Sequence, residues 1–142
     1  MTAKTHLVTL EQISAAGFEA TAQSGGKLIV DGAPEIGGEG RGMRPMEVLL
    51  SALASCSAMD VLNILRKQKQ PLEHLTVDIE GIRADAVPSP FTHVKLAFVA
   101  RGAVDDHKLQ RAVGLAVEKY CSAISTLDPE VTVTWHARIA GT

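Results

Sequence analysis

A chain of 142 residues, 46% hydrophobic and 21% charged, has the size and composition of one globular domain with a modest core. Its formal net charge of −2 and five scattered aromatic residues argue against a nucleic-acid surface, whether electrostatic or built on base stacking. No uninterrupted apolar h-region or small-residue cleavage site opens the chain, so it is expected in the cytoplasm, off the membrane, where a structural disulfide is disfavoured.

Leu7, Thr9 and Glu11 alternate with Val8, Leu10 and Gln12, which predicts a first strand, and 18–22 repeats the pattern. Ser24-Gly25-Gly26-Lys27 reads as a hairpin turn into Leu28-Ile29-Val30. The glycine-rich stretch from Asp31 to Met43 reads as a flexible connector, since it lacks the Lys-Ser/Thr ending of a phosphate loop. Pro45 suits the first turn of a helix and Glu47 its positive end. Arg66, Lys67 and Lys69 complement the other end and Pro71 stops it, so the helix is expected from 45 to about 69. Val48 to Met59 carries no charge and has apolar or small residues on nearly every face, the pattern of a short buried core helix. A chain this small covers one face of it with its own sheet. A second copy is expected to cover the other, with Ser51, Ala52, Ser55 and Ala58 allowing close approach in an obligate homodimer.

Residues 75–83 and 94–100 alternate cleanly and are joined through Val87-Pro88-Ser89-Pro90-Phe91. Asp105 is a good N-cap for a helix carrying Leu109, Ala112, Val113, Ala116, Val117 and Tyr120 at helical spacing. Asp128-Pro129 turns the chain into a last strand at 131–137. The order βββ-α-ββ-α-β, with strands in pairs, predicts an α+β fold: one domain over 1–142 with a largely antiparallel sheet, a long buried helix and a second helix.

The chemistry turns on two cysteines. Cys56 lies in the middle of the most apolar helix, where two readings stand: a small buried hydrophobe, or a redox-active thiol. Burial and Asp60 one turn later raise a thiol's pKa, and Arg41 and Arg44, just before the helix, can supply the opposing cation. Cys121 closes the second helical pattern and pairs with Cys56 if folding brings the two together. Glu47 has the placement of a charge–dipole contact, and Asp60 is expected to pair or cap locally. The histidines (His6, His74, His93, His107, His136) are dispersed without ligand spacing, so no metal or cofactor is expected. Ser51, Ser55 and Ser57 read as packing residues.

The run Arg44-Pro45-Met46-Glu47-Val48-Leu49-Leu50-Ser51-Ala52-Leu53-Ala54-Ser55-Cys56-Ser57-Ala58-Met59-Asp60, with Lys119-Tyr120-Cys121-Ser122, resembles the OsmC/Ohr family of thiol-dependent peroxidases, most of all its YhfA-like branch. The order of elements agrees over nearly the whole chain. The resemblance implies an intertwined homodimer with two active sites at its interface. It implies a peroxidatic Cys56 that attacks an organic hydroperoxide and becomes a sulfenic acid, and a resolving Cys121 that condenses with it to a disulfide. An external dithiol then restores both, in oxidative stress defence. In the family's peroxidases the active-site glutamate directly follows the proline, where this chain has Met46, with Glu47 one residue later. The family arginine comes from earlier in the chain, where Lys27 stands here, so Arg41, Arg44 and Glu47 are candidates by proximity. Two rival readings of the same fold are a non-catalytic dimeric module with an apolar pocket and a disulfide redox sensor.

Overall fold

The computed structural model describes residues 2–141. It contains two compact units, 1–49 and 50–142, with a long helix that begins in the first and continues in the second.

The first unit is a three-stranded antiparallel sheet of β1 (Val8–Gln12), β2 (Gly17–Ala22) and β3 (Lys27–Asp31), in that spatial order. Leu10 pairs with Ala20 and Ala20 with Leu28, so the period-2 pleat puts Val8, Leu10, Phe18, Ala20 and Leu28 on one face. The glycine-rich stretch is tied down rather than loose. Asp31, only 1% exposed, accepts hydrogen bonds from the backbone N–H groups of Gly32 (2.9 Å), Glu39 (2.9 Å) and Arg41 (3.1 Å). Those donors, first Glu39 and then Arg41, hold its carboxyl below the usual aspartate range. Glycine is required at 38 and 42, because a Cβ there would sit 1.7 Å from the Gly32 oxygen and 2.1 Å from the Ile29 oxygen.

Helix α1 (Pro45–Lys67) opens on a capping arrangement: Glu47 Oε1 accepts from the Arg44 N–H at 2.9 Å while Val48 N–H bonds the Arg44 carbonyl. It closes in a Schellman motif, with Lys69 left-handed at φ 56, Gln70 N–H on the Leu65 carbonyl and Lys69 N–H on that of Arg66. That motif, rather than Pro71, ends the helix two residues short of the expected position. Leu53, Ser57, Val61 and Leu65, four residues apart, form its buried stripe. Ser57 is satisfied within the helix by the carbonyls of Leu53 and Ala54, both at 3.0 Å. By length and composition alone α1 could cross a membrane, with a mean hydropathy of 1.8 over its most apolar 18 residues. In the single chain 22% of that window is buried, along the stripe just named.

In the second unit β4 (Leu72–Arg83), β5 (Phe91–Gly102) and β6 (Thr132–Ile139) form a sheet in that order. β4 and β5 are antiparallel, but β6 runs parallel to β5, from His93 opposite Thr132 to Ala100 opposite Ile139. The reading of strands in pairs is corrected for β6, which joins β5 through a β-α-β crossover. A parallel neighbour needs a crossover, and α2 (Asp106–Leu115) provides it. Asp105 caps α2 as expected, accepting from the Lys108 N–H at 3.0 Å. Gln110 fixes α2 to β6 through the Ala137 carbonyl at 2.7 Å. The core joins Val94, Leu96, Phe98 and Ala100 of β5 with Leu109, Ala112 and Val113 of α2 and the stripe of α1.

Candidate functional site

Two departures from ordinary helix geometry place Cys121. After α2 the chain makes a π-helical turn over Ala116–Tyr120, and the Cys121 N–H bonds the Ala116 carbonyl, five residues back, at 2.9 Å. Trp135 of β6 holds that turn by donating its indole N–H to Glu118 at 2.8 Å. Cys121 itself is extended and caps the short helix α3 (Ser122–Ser125), its Sγ accepting from the Ile124 N–H at 3.4 Å. The sulfur is thereby turned inward, 4.0 Å from the Leu53 carbonyl of α1.

Cys56 lies one residue before the buried Ser57 of the α1 stripe and is half-buried, whereas Cys121 is 3% exposed. Asp60 follows Cys56 by four residues and projects from the same helix face. The sulfurs of Cys56 and Cys121 and a carboxylate oxygen of Asp60 all lie within 4.8 Å of one another. Both thiols are free. Burial pushes the Cys121 thiol up from 9.0 to about 11; the Ile124 N–H pulls it down, and the neighbouring Cys56 adds to the rise. At neutral pH Cys121 is therefore a protonated thiol.

Asp60 does not pair or cap locally, as sequence had implied. Its Oδ2 is buried without a hydrogen-bond partner among the described residues, and one oxygen of the same carboxylate lies beside the two sulfurs. The i, i+4 spacing from Cys56 was the available signal, but the partner that gives it meaning lies far along the chain.

Of the other candidates, Arg41, Arg44 and Glu47 belong to the first unit. Arg41 makes an exposed ion pair with Glu39 at 3.6 Å. The Arg44 side chain is exposed, and Glu47 receives the Arg44 N–H, in keeping with its reading as a first-turn residue. Cys56 and Cys121 are brought together in the second unit.

A family model described as OsmC-like protein matches residues 38–136. Protein YhfA of Escherichia coli K12 is 35% identical over 118 residues, which cover 82% of this chain and 85% of that protein. Among solved structures, a hypothetical protein from Aquifex aeolicus VF5 aligns with a TM-score of 0.81 at 30% identity, over 96% of this chain and 98% of its own. The organic hydroperoxide resistance protein OhrB of Bacillus subtilis shares the fold at 17% identity, with a TM-score of 0.62 over 95% and 98% of the two chains.

Proposed function

The chain belongs to the OsmC-like protein family, and on that premise we propose that it is a thiol-dependent peroxidase reducing organic hydroperoxides. One observation carries the reading: two thiols remote in sequence lie within 4.8 Å in unequal settings, one half-buried and one buried. At that separation side-chain rotation, rather than unfolding, is the motion needed to reach a sulfur–sulfur bond of about 2.05 Å.

The settings divide the roles. Cys56, the more accessible sulfur, attacks the distal peroxide oxygen as thiolate; the O–O bond breaks, the alcohol leaves with a proton, and Cys56 becomes a sulfenic acid. Cys121, held protonated by burial until the second step, gives its proton to the departing hydroxyl as its sulfur bonds Cys56, releasing water. An external dithiol then reduces the disulfide to two thiols and is itself oxidised. The name of the structural relative OhrB supports the substrate class. The reaction is assigned to the cytoplasm, in oxidative stress defence.

The working unit is a homodimer. In one chain Val8, Leu10, Phe18 and Leu28 stand exposed on the first sheet, as do Ala52, Ser55, Met59 and Leu62 on α1. Apolar faces of that kind are what a second copy covers.

The test is consumption of cumene hydroperoxide with a dithiol reductant. Cys56→Ser abolishes it, and Cys121→Ser leaves a sulfenic acid that dimedone traps. Thiols indifferent to the hydroperoxide would refute the peroxidase.

A further inference from the structure

We propose that Cys56, Asp60 and Cys121 form a binding site for a thiophilic divalent cation of the zinc and cadmium class. Three points no more than 4.8 Å apart lie within 4.8/√3, about 2.8 Å, of a common point. Zinc takes sulfur at about 2.3 Å and carboxylate oxygen at about 2.0–2.2 Å, so each donor needs to move by only about 0.5–0.8 Å. The donor set selects the cation. Two sulfurs and one carboxylate suit a borderline or soft metal and are wrong for magnesium or calcium, which take oxygen ligands.

The orphaned Asp60 Oδ2 is the independent sign. A buried polar atom without a partner keeps its desolvation cost uncompensated, the more so when it is charged. A cation held between the sulfurs and the Asp60 carboxylate would give that carboxylate the partner it lacks. The frame is in place: Cys56 and Asp60 share one face of α1, and the Ile124 N–H at 3.4 Å holds the Cys121 sulfur as an outer-sphere donor. Binding displaces whatever protons the two sulfurs carry, and two thiolates, one carboxylate and a divalent cation make a bound group of net charge −1. Three protein donors leave the fourth tetrahedral position to water. With both sulfurs committed to metal, neither attacks a peroxide and no disulfide forms, so the cation is a reversible inhibitor of the thiol chemistry. The site uses the residues of the proposed peroxidase but does not depend on that activity.

The experiment is titration of the reduced full-length protein with Cd2+, without peroxide, following the sulfur-to-cadmium charge-transfer absorption and proton release. One cation per chain is expected, with protons released and both thiols protected from iodoacetamide. Cys56→Ser and Cys121→Ser should each lower the absorption. Asp60→Asn, which keeps size and both sulfurs, should weaken binding at least about tenfold, a loss that even outer-sphere changes produce. Absence of saturable absorption, unprotected thiols, one cation shared between two chains, or equal affinity in Asp60→Asn would each overturn the site. Because no peroxide enters the assay, a chain that failed as a peroxidase could still pass it.

Discussion

The two sheets of this protein carry the same alternation of apolar and polar residues and meet different fates. In the second unit, Val94, Leu96, Phe98 and Ala100 of β5 are buried with the apolar sides of α1 and α2. In the first, the matching face leaves Val8 58%, Leu10 53%, Phe18 39% and Leu28 42% exposed. A sheet's apolar face states that something must cover it, but not whether the cover is in the same chain. Here one face is completed by α1, which precedes its strands, and by α2, which follows β5, while the other stays exposed in the single chain.

That contrast can be tested from both sides. The largest effect is expected at the covered sheet, where Phe98 is fully buried. Phe98→Ala should cost about 3–5 kcal/mol in chemical denaturation, from lost transfer energy and the cavity left behind. At the uncovered sheet, Leu10→Lys should cost a lone chain no more than about 0.5 kcal/mol. If a second copy covers the face, light scattering should instead show the dimer giving way to folded monomer. A large loss of stability without a change in oligomeric state would erase the distinction between the sheets.

A third effect belongs to the covered region alone. The folded chain keeps the Cys121 proton up to about pH 11, whereas the unfolded chain loses it near 9.0. The stabilisation this gives is fully present below the unfolded value and is lost as pH rises through the folded one. Denaturation measured across that interval should show stability falling with pH more steeply in the native sequence than in Cys121→Ser. A modest effect is expected at the exposed edge of the same unit, where Asp105→Ala removes the α2 cap at a cost of about 1 kcal/mol.

What sequence made legible was local. Pro45 and Glu47 marked the start of α1, Asp105 marked that of α2, and Ser24-Gly25-Gly26-Lys27 marked the hairpin, because a cap or turn is decided by residues within a few positions. The order of elements and the candidate pair Cys56 and Cys121 were readable for the same reason, together with the family resemblance. The parallel pairing of β5 with β6 was not, because direction in a sheet is set by a crossover that leaves no mark in either strand. Asp31 passed as part of a connector, since its three N–H donors come from the fold of residues 32–41. Asp60 was visible at i+4 from Cys56, but its orphaned oxygen acquires meaning only where the π-helical turn before Cys121 delivers the second sulfur.

The central claim is that Cys56 and Cys121 act on one another. Its most direct measurement is peptide mass spectrometry, under denaturing, alkylating quench, of protein treated with one equivalent of cumene hydroperoxide. The account predicts a Cys56–Cys121 disulfide within a single chain, formed in the native sequence at stoichiometric oxidant and reversed by dithiothreitol. Both cysteines recovered as alkylated thiols, or a disulfide joining two chains, would contradict it.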